Sequence, residues 1–549
     1  MSVLLRRSGD LPKPAAYDSW ITVSGRSPSG VSGNRLGDFS SRLEDAFDGA
    51  AAQWQDLAKT LAAEPTSELA QMPGCAPTCS DFGIMLAWSN LVKTLNDSNE
   101  RVLLVCDDPW LFRHLAQFPK TDAGIPPSLF ALLLKLALRG FFVQTKVALR
   151  AVFASQAFRH HRSRVKSGAT VIFAYAHPDS SAEGDDAYFG PLMKKWPELV
   201  RVLHVDGTLG QAKSLSADPR TVSLHAWGNP LAALKLPFAR WKPPATHLSG
   251  PLGWLVRRAA ALEGGTGQAA MSRWQQYCQE NWMRRTKPRL IAWPWENHTW
   301  ERGFVRTARR FGVRTLGYLH TPHGRHHWGI SPASNRDELD SIPDGIVCTG
   351  AIPAKRLQAL GYPPDHITVG GSLRHVVFGA LPHDPDGPVL MALPNNRDIA
   401  QHMETIAAGW AKENKKVLIK PHPMAPAKIR TLPGTMYTED PLDQLPALQA
   451  VVYAMSSIGL EALAGGLPVI RFSPATAIAP IAALPENLDV PARNAQELED
   501  ALRSINKQKA IDIADYYSAP DFGFWDRALN NGSPKSQPSY DQEIDKVSS

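Results

Sequence analysis

Short apolar runs alternate with helix-forming segments through the second half of the chain, and this alternation constrains the fold more than any other feature. Residues 290–295, 313–318 and 346–349 are predicted as buried strands, and helical segments follow the first and the last of them. Strands that alternate with helices form parallel sheets, whose ligand crevice lies beyond the carboxyl ends of the strands. The sequence therefore predicts an α/β fold with its functional residues at strand ends.

One of these strand ends carries an imidazole. The apolar run 417–419 stops at Lys420 and Pro421, and His422 follows. Because a proline cannot donate to the hydrogen-bond ladder of a strand, His422 is predicted in a loop at the carboxyl end. A histidine in such a loop also occurs in simple turns, so this feature needs a second one to define a site.

The second feature is a strand end further along the chain. The apolar run 451–455 ends at Ser456 and Ser457, and residues 459–464 are predicted as a helix. Serine side chains cap free N–H groups at the start of a helix, and a helix N-terminus favours an anion. Together with His422, this arrangement predicts a phosphate site built without a metal ion.

Both strand ends resemble motifs of known enzymes. The chain is similar to bacterial surface-polysaccharide glycosyltransferases of GT-B architecture in their His-Pro and Ser-Ser motifs, here Lys420-Pro421-His422-Pro423 and Ser456-Ser457 with Glu461-Ala462-Leu463-Ala464-x-Gly466-x-Pro468-Val469. Sialyltransferases, polysialyltransferases and capsule Kdo transferases belong to this group. Teichoic-acid glycerophosphotransferases carry similar motifs. The resemblance covers about residues 285–510.

The resemblance implies two Rossmann-like domains that face each other across a cleft. It assigns the nucleotide and its leaving phosphate to a set of residues in the second domain and in the segment between the domains: Lys420, His422, Ser456, Ser457, Gly459, Glu461 and Arg374. Glu461 matches the glutamate that contacts the nucleotide ribose. Arg374, and with it Arg302, is expected to bind a donor carboxylate or an acceptor phosphate.

The catalytic base is expected at a strand end of the facing domain. The strand 290–295 ends at Glu296, and Glu296-Asn297-x-x-Trp300-Glu301-Arg302 resembles a Glu-centred segment of the same enzymes. A general base is a carboxylate or an imidazole within reach of the acceptor hydroxyl, so Glu296 is the preferred candidate. The alternatives are His320, His298 and Asp186. A structural role for Glu296, as a partner in a helix N-cap, is the competing interpretation.

The domain boundaries follow from these elements and from local composition. Residues 1–40 are rich in Gly, Ser and Pro and are expected to form a flexible leader. An N-terminal Rossmann-like acceptor domain is predicted at 41–370, and a C-terminal Rossmann-like nucleotide-sugar domain at 371–515. A helix and a polar, disordered tail are predicted at 516–549.

A basic amphipathic helical insertion is predicted at about residues 126–167. Its cations recur at spacings of four and seven, which places them on one helical stripe: Lys135, Arg139, Lys146 and Arg150. Its predicted apolar face consists of Leu132, Leu133, Leu136, Phe142 and Val143. Residues 123–178 contain no Asp or Glu. This composition is typical of a helix in a membrane interface; a packed αα-hairpin with an exposed basic face is the alternative.

Net charge and cysteine content limit the kinds of binding partner and the cellular compartment that fit this chain. The net charge of +7 favours an anionic partner, but no basic motif with interleaved aromatics indicates nucleic acid. Five scattered cysteines indicate a reducing compartment without disulfides, and Cys75 and Cys79 lack a second pair at zinc spacing. No apolar stretch is long enough for a transmembrane helix, and no secretory signal is predicted. The expected location is cytoplasmic, at the inner face of the cytoplasmic membrane.

These observations predict an enzyme: a metal-independent inverting glycosyltransferase that uses a nucleotide-sugar as substrate and needs no further cofactor. No Asp-x-Asp motif falls in a suitable loop, which is why no metal is expected. The preferred donor, implied by the resemblance, is a CMP-activated ulosonic acid. The acceptor would be a cell-surface glycan, such as lipopolysaccharide or capsule, or a lipid-linked glycan. The alternatives are a CDP-alcohol-dependent polyol-phosphate transferase and a non-catalytic polysaccharide-assembly or binding protein.

Overall fold

The computed structural model describes residues 3–23, 28–73, 80–98, 100–374, 379–422, 433–474, 489–505 and 512–530. The described strands form three sheets, of five, seven and six strands. Every pairing between these strands is parallel, and helices connect them. The predicted α/β fold class is therefore confirmed, although the chain contains one more sheet than expected.

The first sheet has the strand order β3-β2-β4-β1-β5. Its strands are β1 (Val3–Arg6), β2 (Ser19–Thr22), β3 (Asn34–Arg35), β4 (Val102–Val105) and β5 (Thr121–Ala123). Its helices are α1 (Phe39–Asp48), α2 (Ala51–Leu61), α3 (Phe82–Asp97) and α4 (Pro109–Leu115). This sheet and its helices form a hydrophobic core that is distinct from the core of the next sheet.

The flexible leader expected at residues 1–40 is wrong for the described part of that range. The strand β1 is hydrogen-bonded to β4 on one side and to β5 on the other. Its side chains Val3 and Leu5 are fully buried in the core. The strand is only four residues long and polar, glycine-containing sequence follows it, so local composition concealed its central position. The expected single domain at 41–370 accordingly spans parts of two sheets.

The seven-stranded sheet has the order β12-β11-β10-β9-β6-β7-β8. Its strands are β6 (Thr170–Tyr175), β7 (Val200–Val205), β8 (Thr221–Ser223), β9 (Leu290–Pro294), β10 (Arg314–Leu319), β11 (Gly345–Cys348) and β12 (Ile367–Val369). The helices of this region are α5 (Phe130–Ala157), α6 (Leu192–Lys195), α7 (Leu209–Leu215), α8 (Pro230–Ala233), α9 (Ala245–Ser249), α10 (Gly253–Gly264), α11 (Gln268–Thr286), α12 (Thr299–Arg310) and α13 (Ala351–Ala359).

The six-stranded sheet has the order β15-β14-β13-β16-β17-β18. Its strands are β13 (Val389–Ala392), β14 (Val417–Lys420), β15 (Met436–Tyr437), β16 (Ala450–Tyr453), β17 (Val469–Phe472) and β18 (Val490–Ala492). Its helices are α14 (Arg397–Lys412), α15 (Ile458–Ala464) and α16 (Ala495–Ser504). The motif strands β14 and β16 flank β13, so their carboxyl ends lie near each other.

The chain ends, within the described residues, on a helix that returns to the seven-stranded sheet. This helix is α17 (Phe522–Asn530), and its Trp525 is fully buried against Tyr318 and Phe189. The indole N–H of Trp525 donates to the carbonyl of Gly370, 3.0 Å away. The tail predicted at 531–549, like Cys75, Cys79 and Pro423, lies outside the described residues.

The predicted helical insertion is one helix of 28 residues, α5, followed by a short 3-10 segment at Arg159–Arg164. The alternative αα-hairpin is therefore wrong. The predicted apolar face is wrong in part, because Leu136 is buried against the protein while Phe142 is exposed. Among the described residues, no helix combines the length and the apolar content needed to cross a membrane.

Candidate active site

The loop after β9 places Glu296 at the carboxyl edge of the seven-stranded sheet. The neighbouring carboxylate, Glu301, accepts hydrogen bonds from the backbone N–H of Glu296 (3.2 Å), from that of His298 and from the indole of Trp293 (2.8 Å). Glu301 and His298 form the capping box of α12. Glu301 is therefore the glutamate that caps α12, a role that the competing interpretation gave to Glu296. The Glu296 side chain lies beside His298 and His320 instead.

The Glu296 carboxylate lies among imidazoles. Its Oε2 is 3.2 Å from Nε2 of His298, and its Oε1 is 3.9 Å from Nε2 of His320. One third of its side chain remains exposed (33%). Burial alone would raise the pKa of Glu296, but His298, His323, His327 and Arg374 together bring that pKa below its usual value. The carboxylate is therefore ionised at neutral pH, as a proton acceptor must be.

Two further histidines, His323 and His327, lie in the loop after β10. Burial lowers the pKa of His323 to about 3 and that of His327 to about 4, so both are neutral at physiological pH. Their rings meet edge to face, with centroids 4.9 Å apart. Neither histidine is predicted as a site residue from the motifs of the sequence. The available signal was the density of histidines in residues 320–327 directly after a strand.

Tyr188 and Arg374 complete this side of the site. The guanidinium of Arg374 lies 5.0 Å from the centre of the Tyr188 ring, and the edge of this ring meets His320 at the same centroid distance. Arg374 is exposed and interacts electrostatically both with Glu296 and with Glu461 of the six-stranded sheet. It therefore lies between the two facing halves of the site.

A second contact also joins the two halves. Tyr517 belongs to the core beneath the six-stranded sheet; burial raises the pKa of its phenol, and the neighbouring Thr321, which follows β10, opposes that shift. Glu461 and Arg374 both act electrostatically on this phenol. The carboxyl edges of the seven-stranded and six-stranded sheets thus face each other across one cleft, as predicted for the GT-B arrangement.

On the six-stranded side, Lys420 and His422 lie at the carboxyl end of β14. The Lys420 ammonium donates to the backbone carbonyls of Glu439 (2.9 Å) and Asp440 (2.6 Å). Burial lowers the pKa of Lys420, while Asp440 and Glu461 oppose that shift. Burial also lowers the pKa of His422, which favours the neutral imidazole. The two hydrogen bonds hold Lys420 at the edge where a phosphate is predicted, and His422 follows it two residues later.

The Ser-Ser motif lies where predicted, between β16 and α15, but its groups have local partners. Ser456 accepts a hydrogen bond from the N–H of Ile458 (3.2 Å), and Ser457 donates to Glu461 (3.0 Å). Burial raises the pKa of Glu461, and the Ser457 hydrogen bond, Arg374 and Lys420 lower it again in part. A Cβ at Gly459 would lie 2.7 Å from the Tyr453 ring. The glycine therefore allows α15 to pack closely against this ring.

Two other predicted site residues have structural surroundings. The Asp186 side chain is fully shielded from solvent, 3.5 Å from Arg201, and accepts the N–H groups of Tyr188 and Phe189. It therefore shapes the loop that carries Tyr188 and does not reach an acceptor. Arg302 is also buried and donates to backbone carbonyls, including those of Asn297, Ser334 and Gly329, so it cannot bind a substrate anion.

No protein-family model and no curated protein matches the sequence. Solved structures that resemble the chain include the lipopolysaccharide outer core galactosyltransferase WaaB in its apo form (12% identity, 66% of this chain and 99% of that one, TM-score 0.35). A putative UDP-N-acetylglucosamine 2-epimerase from Listeria monocytogenes is 12% identical; the match covers 68% of this chain and 98% of that one, with a TM-score of 0.40. Anabaena HepE in complex with UDP and glucose is 10% identical; the match covers 69% of this chain and 100% of that one, with a TM-score of 0.33. These values are too low to carry an inference about activity.

Proposed function

We propose that the protein is a glycosyltransferase that moves a sugar from a nucleotide onto a hydroxyl of a surface glycan or a lipid-linked glycan. The observation that carries this proposal is the position of Arg374 between two groups of residues. On one side lies the ionised Glu296, and on the other lie Lys420 and Glu461. An ionised carboxylate on one wall of the cleft and a lysine ammonium on the other support a proton acceptor that faces a phosphate site.

The reaction that fits this geometry is a single displacement with inversion. The acceptor oxygen forms a bond to the anomeric carbon, and the bond from this carbon to the nucleotide phosphate breaks. Glu296 takes the proton of the acceptor hydroxyl. Lys420 and His422 stabilise the charge that develops on the leaving phosphate. Each step uses a side chain of the chain itself, so no metal is assigned to the site.

We further propose that the donor is a CMP-activated ulosonic acid, as the sequence motifs imply. Such a sugar carries a carboxylate next to its anomeric centre, and Arg374 is an exposed guanidinium in the cleft. Arginine pairs well with planar carboxylates because its N–H groups form a fork. Arg374 would therefore hold the donor carboxylate while its own stacking on Tyr188 keeps it in place.

The same cationic groups support an alternative donor. Arg374 and Lys420 also suit the two phosphates of a CDP-alcohol, from which a polyol phosphate would be transferred. Both donors release CMP, so the mass gained by the acceptor separates the two reactions. A non-catalytic assembly or binding protein is the third possibility, and it would bind a glycan without turning over any nucleotide donor.

We also propose that the protein works in the cytoplasm at the inner face of the cytoplasmic membrane. A lipid-linked or membrane-bound acceptor presents its glycan there. The basic helix α5 supports this location, since its segment 123–178 contains no acidic residue.

The test is a thermal-shift screen with CMP, CDP, UDP and GDP, followed by mass spectrometry of acceptors incubated with the matching donor. CMP is expected to raise the melting temperature, because it binds the folded state alone. His422→Ala should reduce this shift without lowering the melting temperature of the free protein, since His422 is a half-buried loop residue. If no nucleotide stabilises the protein and no donor is turned over, the glycosyltransferase proposal fails.

A further inference from the structure

The long helix α5 packs on the protein through its small side chains. Its buried positions include Gly140, Ala148, Ala151 and Ser155. At Gly140 the helix approaches so closely that a Cβ would overlap the carbonyl oxygen of Gly264 at the end of α10. Leu136 and Gln144 are buried as well, but small residues fill most of the contact, so most of the large apolar residues of α5 are left on the other faces, unlike those of an ordinary surface helix.

Those large side chains are exposed to solvent. Phe130, Leu138, Phe142 and Phe153 are each more than 60% exposed (78%, 64%, 72% and 68%). Further exposed apolar residues of the same helix are Leu133, Leu134, Phe141 and Leu149. Soluble monomers rarely expose contiguous apolar surface on this scale, and such surface usually marks an interaction site.

A second segment of the chain extends this apolar surface. The helix α8 and the 3-10 turn Leu236–Phe238 pack beside α5, and they expose Leu231 (71%), Leu234 (67%) and Phe238 (70%). The rings of Phe141 and Phe238 meet with centroids 6.0 Å apart. The exposed apolar residues of α5, α8 and this turn thus form one surface, here named the apolar face.

The two segments that carry the apolar face hold charges of one sign. Its two segments, 123–178 and 219–262, contain no Asp or Glu. They carry a set of exposed cations: Lys135, Arg139, Lys146, Arg150, Arg159, Lys235, Arg240, Lys242 and Arg257. Apolar side chains interleaved with lysine and arginine match the acyl boundary and the anionic headgroups of a lipid surface.

A cavity of about 310 Å³ opens between α5, the turn and α10. Leu133, Leu136, Phe141 and Phe238 line it together with Trp241. Its volume lies at the lower end of the range of ligand pockets, about 300–1,000 Å³. Because three of its lining side chains, Leu133, Phe141 and Phe238, also belong to the apolar face, the cavity continues that face into the protein.

Two contacts connect α5 and the segment after it with the carboxyl edge of the seven-stranded sheet. Arg150 donates to the carbonyl of Gly207, just past the carboxyl end of β7. His161 accepts from the N–H of Ser223 at the carboxyl end of β8. These contacts place Arg150, in the second half of α5, and His161, in the 3-10 segment after it, near the carboxyl edge of the seven-stranded sheet, the edge at which Glu296 follows β9.

We propose that the apolar face is a lipid-binding surface that combines α5 with α8 and the 236–238 turn. Its aromatic and leucine side chains enter the acyl boundary of an anionic bilayer, and its cations contact the headgroups. The cavity takes part of one hydrocarbon chain, with Trp241 beside that chain. This inference specifies the membrane partner of the proposed glycosyltransferase and its structural basis, and the vesicle test below requires neither nucleotide nor turnover.

A second copy of the chain is the competing occupant of the apolar face. In a symmetric dimer each apolar face would meet its own copy, so the cations of one subunit would oppose those of the other. No acidic residue of the two segments is present to compensate that repulsion. An anionic lipid surface supplies the missing charge and is therefore favoured.

The test measures binding of the full chain to two kinds of vesicle by sedimentation: phosphatidylcholine alone, and phosphatidylcholine mixed with phosphatidylglycerol. Strong binding to the anionic vesicles is expected. Lys135→Glu with Arg139→Glu should weaken it at least about 30-fold, since each cation near an anionic surface contributes roughly fivefold. Leu231→Ser with Phe238→Ser should also release the protein from the anionic vesicles. If α5 alone formed the lipid-binding surface, this second variant would still bind.

Matched controls separate this face from the rest of the surface. Lys412→Glu with Lys416→Glu changes two exposed lysines of the six-stranded domain, and Met436→Ser removes an exposed apolar side chain there (60% exposed). Neither control should alter vesicle binding. All variants are checked by circular dichroism and melting temperature, because a misfolded variant would lose binding for a trivial reason.

The cavity is tested with lipids brominated on their acyl chains, which quench tryptophan fluorescence on contact. The wild type should lose more fluorescence than Trp241→Phe. Equal quenching of the two proteins would overturn the role of the cavity. The lipid-binding proposal as a whole is overturned if anionic vesicles do not bind the protein, or if Leu231→Ser with Phe238→Ser dissociates a dimer in light scattering and leaves vesicle binding unchanged.

Discussion

At the scale of single residues, two neighbouring glutamates have opposite roles because their surroundings differ. Glu301 is buried and accepts three N–H groups, and burial raises its pKa to about 7. Glu296 remains one-third exposed beside two imidazoles, and its pKa is lowered. The first carboxylate therefore maintains the strand-to-helix junction, while the second is available to a substrate.

Glu296→Gln is expected to keep the shape of the site and to abolish the proton acceptor. Donor binding, measured by the thermal shift with nucleotide, should persist. Turnover should fall by roughly 10²-fold or more, the scale of general base catalysis. If Glu296→Gln turns over at a near-normal rate while His320→Ala does not, the base is His320.

Asp186→Asn should affect stability and not chemistry. The substitution leaves Arg201 buried without a full counter-charge, which costs up to about 3–5 kcal/mol when a buried pair is broken. We expect a lower midpoint in urea unfolding and a near-normal rate at temperatures where the variant is folded. A stable variant with a large loss of turnover would show instead that Asp186 acts on the substrate.

The charge of Arg374, together with His298, is expected to contribute to the position of the acid limb of the pH profile. A base with a depressed pKa is ionised above that pKa, so kcat/KM should fall only as pH drops through it. Arg374→Ala removes one cause of the depression, which raises the pKa of Glu296 and moves the acid limb to higher pH. Lys412→Ala, on the outer surface of the six-stranded domain, should leave the limb in place. An unmoved limb in Arg374→Ala would mean that Arg374 does not face the base.

At the scale of elements, the packing of α5 explains why a helix rich in leucine and phenylalanine presents these residues to solvent. Gly140 allows the backbone of α5 to contact the end of α10, and Val143 and Val147 lie close to Gly267. A helix in such close contact cannot rotate to bury its large side chains without a clash. The orientation of the apolar face is thus determined by the small residues of the opposite face.

Gly140→Ala should destabilise the protein by about 1–3 kcal/mol, the usual effect of adding a methyl group to a filled contact. Gly409→Ala is the matched control, since Gly409 lies within α14 and a Cβ there has no neighbour within 4 Å. There the replacement should stabilise by up to about 1 kcal/mol, because alanine favours the helix. Chemical denaturation of both variants measures the difference, and equal effects would contradict the close packing of α5.

At the scale of the whole molecule, the first sheet supports the active-site loop. His326 lies 2.7 Å from Asp48 of α1, and Arg325 lies 2.8 Å from Glu44 of the same helix. The ring of Trp328 stacks on Phe47, with centroids 4.1 Å apart. The loop that carries His323 and His327 is therefore anchored in the core of the first sheet.

Leu5→Asp tests this dependence at a distance from the cleft. A carboxylate in the centre of the first sheet lacks water and a partner, so we expect a loss of several kcal/mol and of turnover together. Gly9→Ala, in a position with no neighbour within 4 Å, should change neither. Melting temperature and nucleotide-donor turnover are the measurements. A flexible leader would make both variants equivalent to the wild type.

The strand–helix alternation and the polar residues at strand ends could be recognised from the amino-acid sequence. Both are local properties, since strand and helix periods repeat within a few residues and parallel strands end at one edge. Glu296, His320, Lys420 and His422 could therefore be predicted at the carboxyl ends of strands, where the structure places them. The tertiary structure alone decided the roles of Glu301 and Asp186, because burial depends on segments distant in the chain. It also joined α5 to α8 in one apolar face and placed β1 at the centre of a sheet, because each depends on contacts that no local period encodes.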